Sequence, residues 1–296
     1  MNNYTVNYAI PGFWEHRKLY KDIFTFLQKN SFMMNDDTNI YCAYGNIPFC
    51  TWDGGRIFKK YSQPGTVEEI IQLKNFFNDL MHIKIRLIYT NCLIEERDCY
   101  DKFNNTITSI FHDGENEIVV NSPILEEYLL KNYPNYNYIS STTKCIINQD
   151  EARNELNKSQ YKFICLDYNL NHNFSLLDTL SLEEKEKTEF LVNPICGPAC
   201  PNRKEHYRLN SLFSLNYGKP YALKNCSIEN NISYPHNWNT IITPEEIYST
   251  YTKKGFHYFK LEGRSLSDNT AAIIFAQYII KPKYQLTFIE RFTDND

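Results

Sequence analysis

Lys84-Ile85-Arg86-Leu87-Ile88-Tyr89 ends in Thr90-Asn91, a polar connection and a helical run from Asp101 to His112 follow, and Glu117-Ile118-Val119-Val120 comes after the stop at Asp113-Gly114. This stretch holds the repeating unit of the chain. Each short apolar run reads as a strand, and the apolar spacing between them reads as a helix. The second strand closes on Asn121-Ser122, and Pro123 opens the next helix, where a first-turn proline costs little.

The same alternation extends both ways. Upstream lie a strand over 4–9 closed by Pro11-Gly12, a helix over 18–30, a strand over 39–44, and a helix over 66–81 opened by a Thr66/Glu69 capping box. Downstream, strands are expected at 137–141, 163–166, 189–192 and 257–261, with helices at 149–156, 176–187, 243–255 and 267–280. Eight strands alternating with helices and no linker predict one α/β domain over 1–296, an eight-stranded parallel β/α (TIM) barrel. A doubly wound open sheet is the competitor. No glycine-rich phosphate loop follows the first strand, which lowers the dinucleotide-binding alternative. Three departures are expected: a long loop at 47–64, an insert near 218–239 before the last strand, and an extra strand over 283–292.

Composition excludes more than it selects. With 42% hydrophobic and 22% charged residues among 296, the chain carries enough apolar material for a core. Its net charge of −4 and the lack of a basic run argue against a nucleic-acid surface. No run approaches the roughly 20 apolar residues that span a bilayer, and the first eight residues do not read as a signal peptide. Nine cysteines without an export signal point to reduced thiols in a cytoplasm.

In a barrel, sites form where the strands end. The strand ends supply Asn46, Asn91, Asn121, Ser140, Asp167, Asn169, Asn193, Cys196, Glu262 and Arg264. Turns also favour Asn and Asp, so polarity alone does not decide the matter. The seventh strand runs into a stiff turn, Asn193-Pro194-Ile195-Cys196-Gly197-Pro198-Ala199-Cys200-Pro201. Cys196 and Cys200 are candidate ligands for zinc or an iron–sulfur cluster, with His206 a third donor. Cys50 in the long loop and Cys226 in the insert lie on segments expected at the same mouth, while Cys92 and Cys99 are held in reserve. Cys42 and Cys165 lie within strands and read as small buried hydrophobes. Cys196 is alternatively a nucleophile helped by His206 or Asp167. Glu262 and Arg264 are the acid/base and anion-holding pair, or else an ion pair that closes the barrel. His16, His112 and His172 read as solvated.

Two segments together carry a resemblance. Val-Asn-Pro-Ile-Cys-Gly-Pro-Ala-Cys-Pro-Asn-Arg-Lys-Glu-His-Tyr at 192–207 and Phe-Lys-Leu-Glu-Gly-Arg at 259–264 resemble the collagenase-like peptidase family, peptidase family U thirty-two. The second segment matches that family's strand motif well and the cysteine loop matches more loosely. The resemblance implies a β/α barrel enzyme, either a peptidase or an oxygen-independent hydroxylase-like enzyme. It implies a [4Fe-4S] cluster in some members, with Cys196 and Cys200 as ligands and Glu262 and Arg264 on the strand motif. The family's fuller cysteine series is not present, and Cys50 and Cys226 are the substitutes this chain offers. The expected ligand is a small molecule or peptide at the mouth. A metal-free hydrolase and a non-catalytic binding barrel are the rivals.

Overall fold

The computed structural model describes residues 5–55, 65–216 and 238–293. Eight strands, β1 (Val6–Pro11), β2 (Thr38–Gly45), β3 (Lys84–Tyr89), β4 (Glu117–Val120), β5 (Asn137–Ser140), β6 (Tyr161–Leu166), β7 (Thr188–Leu191) and β8 (Tyr258–Lys260), pair in sequence order into a closed barrel. Every pair is parallel, and closure puts Asn7, Tyr8 and Ala9 beside Tyr258, Phe259 and Lys260. The fold is the TIM barrel that the alternation predicts.

The helices between strands are α1 (Arg17–Lys29), α2 (Val67–Asn75), α3 (Lys102–Ile110), α4 (Pro123–Asn132), α5 (Gln149–Leu156), α6 (Phe174–Leu177), α7 (Leu182–Lys187), α8 (Arg203–Leu215) and α9 (Pro244–Glu246). After β8 come α10 (Asp268–Ile279) and α11 (Gln285–Phe292). Side chains set their starts. Thr66 with Glu69, Ser181 with Glu184 and Thr243 with Glu246 form reciprocal capping boxes, and Ser122, Asn148 and Ser267 cap with one side chain each.

Two cores follow from the period of two along each strand. On β4, Ile118 and Val120 face the helix layer, and Val119 faces the barrel interior with Ala9, Cys42, Tyr44, Ile88, Ile139 and Phe163. The floor of the barrel is ionic. Arg86, fully buried, donates from Nε to Glu117 (2.8 Å), from Nη1 to Glu189 (2.6 Å) and from Nη2 to the Tyr41 hydroxyl (2.6 Å). Tyr41 in turn donates to Glu189. Burial pushes the Glu189 carboxyl up, but Arg86 and Lys260 together hold it below its ordinary value.

Three expectations are corrected. The extra strand over 283–292 is helical: a turn at Pro282–Tyr284 leads into α11. Phe288 and Phe292 recur at helical spacing and meet Phe26, and Phe288 stacks on Phe275 at 5.6 Å. That packing outweighs the local alternation in Leu286 and Phe288. The helix expected over 176–187 divides into α6 and α7, because Ser181 starts a new cap. His16 is buried, not solvated: its Nδ1 bonds Asp268 (2.6 Å) and its Nε2 bonds the Gly263 carbonyl (3.1 Å). Gly12 makes room for it. At φ +75° its Cβ would lie 2.5 Å from the His16 ring.

Among the described residues no helix is long and apolar enough to cross a membrane.

Candidate functional site

The strands end at a mouth that α8 crosses. At its start, Arg203 donates to Asp167 beyond β6 (2.6 Å) and to the Thr142 carbonyl beyond β5 (3.0 Å). Eight residues on, about 12 Å along a helix, Ser211 accepts from Asn91 Nδ2 (3.0 Å) and from the Cys92 N–H (3.1 Å) beyond β3. Asn210 donates to the Gly55 carbonyl in the loop after β2 (2.7 Å). β6 and β2 lie on opposite sides of an eight-strand ring, so α8 spans the opening. Gly54 permits the contact, since a Cβ there would fall 2.5 Å from Ser211 Oγ and 2.7 Å from the Thr90 carbonyl. The chain returns to the barrel wall at Ile242, whose N–H bonds the Val192 carbonyl (2.9 Å).

Under this helix, three charged groups meet. Arg264 lies 3.0 Å from Asp53 Oδ2 and 3.2 Å from Oδ1 through Nη2, and 3.7 Å from Glu15 Oε1 through Nε. Glu15 follows β1, Asp53 the loop after β2, and Arg264 follows β8. The Glu15 side chain keeps 16% of its exposure, against 5% for Asp53 and Arg264. Burial pushes the Glu15 carboxyl up to about 7 against the pull of Arg264. Glu15 Oε2, Asp53 Oδ2 and Thr90 Oγ1 have no hydrogen-bond partner among the described residues. Buried polar atoms are normally satisfied, so three in one place make this cluster the candidate site for a polar ligand.

The candidate residues from the sequence occupy distinct places. Arg264 joins this cluster. Glu262, two residues earlier, accepts the Ile195 N–H (2.8 Å), and Asn193 bridges to its backbone in both directions (2.6 and 2.9 Å). Its carboxylate therefore holds the cysteine turn. Asp167 caps the turn after β6 and pairs with Arg203, whose guanidinium covers the Tyr168 ring at 4.0 Å. His206 is half-buried on α8, its ring stacked on Tyr207. Cys196 is buried with Cys165, Tyr168 and Leu191, whereas Cys200 is partly exposed. Cys50 is packed in the core outside the barrel, where burial pushes its thiol well up. Cys226 lies outside the described residues. Among those described, no three His, Cys, Asp or Glu side chains come together as a metal-ligand group. Cys196 and Cys200 therefore do not complete a ligand set with the described residues alone.

Glu15 was not foreseen, because it sits past the Pro11-Gly12 turn and not on a strand end. A carboxylate three residues beyond the first strand's glycine is the signal that points to it.

No protein-family model matches the chain, and no curated protein matches it in sequence. Among solved structures, the U32 peptidase Mk0906 matches with a TM-score of 0.50 and 14% identity, over 88% of this chain and 93% of that one. The chain is thus structurally similar to a U32 peptidase, in line with the motif resemblance. At this identity the likeness is one of fold.

Proposed function

We propose that the chain is a barrel enzyme of the collagenase-like peptidase type that hydrolyses an amide bond at its mouth. Glu15 is the acid/base group. The observation that carries this reading is a reachable but desolvated carboxyl, pushed up to about 7, beside the Arg264–Asp53 pair. A group that titrates near neutrality is matched to proton transfer in both directions. As carboxylate, Glu15 takes a proton from the attacking water; as acid, it returns that proton to the departing amine. The bond to the carbonyl carbon forms from water oxygen, the C–N bond breaks, and an acid and an amine leave. Arg264 and Asp53 position Glu15. The peptide class is suggested by the motif resemblance and by the fold shared with a U32 peptidase.

A second reading follows from the cysteine turn, which Glu262 and Asn169 hold at the mouth (Asn169 accepts the Ala199 N–H at 2.8 Å). Here Cys196 and Cys200, with Cys226 and Cys50 as further candidates, bind an iron–sulfur cluster or zinc for a hydroxylase-like activity. One experiment separates the two readings. A quenched peptide library is digested by wild type, Glu15→Gln and Cys196→Ala, with iron, zinc and acid-labile sulfide measured in each. The first reading expects Glu15→Gln to lose about 10²–10⁴-fold in kcat, and the wild-type profile to have a limb near pH 7. Peptide turnover unchanged in Glu15→Gln overturns it. Stoichiometric iron and sulfide, lost in Cys196→Ala together with activity, would establish the second.

A further inference from the structure

Two consecutive residues after β1 meet two consecutive residues after β8. Glu15 faces Arg264, with 3.7 Å between Oε1 and Nε. His16 faces Gly263, whose carbonyl lies 3.1 Å from Nε2. A carbonyl only accepts, so Nε2 carries a hydrogen and donates it. On the far side of the ring, Nδ1 lies 2.6 Å from Asp268, the first residue of α10. The carboxylate also accepts, so both ring nitrogens donate and the ring is held from two sides. Paired in this way, His16 and Asp268 add no net charge to the mouth. His16 is 2% exposed, and Tyr20 meets its ring edge-on at 5.9 Å.

Two glycines make this contact possible. A Cβ on Gly12 would fall 2.5 Å from the His16 ring, and one on Gly263 would fall 3.0 Å from Pro11 Cγ. The Gly263 carbonyl also accepts the Leu266 N–H (2.9 Å), so it closes the turn that carries Arg264. An apolar side chain at position 16 would fill a buried place with no polar atom to satisfy, whereas a buried imidazole is tolerated only with its nitrogens bonded. Stability alone therefore calls for none of these three residues. Together they fix the register of the loop after β1 against the turn after β8, and with it the separation of Glu15 from Arg264. Arg264 also holds Asp53 (3.0 Å), so a drift of that turn would loosen both carboxylates at once.

We infer that His16 is a positioning residue of the mouth: through the Gly263 carbonyl it sets the approach of Arg264 to Glu15, and Asp268 orients its ring. The positioning itself stands on the geometry of the two loops. Its effect on turnover rests on the proposed role of Glu15.

The test compares His16→Met, which cannot donate, with His16→Gln, whose amide keeps a donor of similar reach. Peptide turnover by the full chain is measured together with amide exchange at Leu266, whose N–H shares the Gly263 carbonyl. His16→Met should lose about 10–100-fold in kcat, with KM within about twofold of wild type. Leu266 should exchange several-fold faster in that variant, with β4 and β5 unchanged. His16→Gln should recover most of both losses. A wild-type kcat in folded His16→Met, an equal loss in the Met and Gln variants, or unchanged exchange at Leu266 overturns the assignment. If His16→Met does not fold, Asp268→Ala takes its place at a half-exposed position. A smaller loss in the same two readouts then supports the assignment, and no change in either overturns it. If wild type turns over no peptide, the reading of Glu15 fails, and exchange at Leu266 alone decides the role of His16.

Discussion

The two ends of this barrel both bury charge, and they treat it in opposite ways. At the floor, Arg86 spends its donors on Glu117, Glu189 and Tyr41. At the mouth, Arg264 is shared between Asp53 and Glu15, and one oxygen of each carboxylate lacks a hydrogen-bond partner among the described residues. Burial therefore wins over Coulomb attraction at Glu15 and loses at Glu189. The contrast is one of charge balance and not of full satisfaction, since Glu189 Oε2 also lacks a hydrogen-bond partner among the described residues. Two cations hold Glu189 charged, whereas Glu15, beside a single guanidinium, is pushed up. Barrels generally keep stability at the floor and chemistry at the mouth, and the proposed site follows that division.

The largest effect should come from breaking the floor. Arg86→Ala leaves two buried carboxylates without their guanidinium and should cost about 3–5 kcal/mol in denaturant unfolding. A loss below about 1 kcal/mol would mean that water reaches the network, and the contrast between the ends would fail.

The next effect is a pH dependence at the mouth. Glu15 has a folded pKa above its unfolded value, so the folded state binds the extra proton between about 4.5 and 7. Wild type should therefore lose stability as pH rises through that window and level off above it, by on the order of 2–3 kcal/mol from this group. Glu15→Gln should lack that slope, which paired urea titrations at pH 5 and pH 8 can read. Parallel curves for the two proteins would show that Glu15 is as solvated as a surface carboxylate.

A smaller effect concerns the helix across the mouth. Gly54→Ala sets a methyl group against Ser211 and the Thr90 carbonyl and should cost about 1–2 kcal/mol. Amide exchange should speed up selectively over α8, with β3 and β4 unchanged. Uniform acceleration across the barrel would show that α8 is an integral wall of the core and not a cover over the site.

Much of this architecture could be read from residue order. β-branched runs such as Ile118-Val119-Val120, and caps such as Thr66, Ser122 and Thr243, act over a few residues, so periodicity and local chemistry reveal them. The strand ends Asn193, Glu262 and Arg264 were readable for the same reason. Their partners were not. Glu262 meets Ile195 across 67 residues, and Arg264 meets Asp53 across 211. α11 shows the same limit in reverse: an alternating stretch became a helix because Phe26 and Phe275 lay where Phe288 could pack on them.

The sequence by itself determined the eight-fold alternation, the closed parallel barrel it implies, and a mouth rimmed with polar side chains, because each rests on local pattern and on chirality. Only the tertiary structure decided which charges are satisfied. It surrounded Arg86 with Glu117, Glu189 and Tyr41, placed Glu15 beside Arg264, turned Glu262 to the cysteine turn, laid α8 over the opening, and set Lys260 against Tyr44. The reason is that burial and Coulomb terms depend on distances between residues far apart in the chain, and those distances exist only once the barrel has closed.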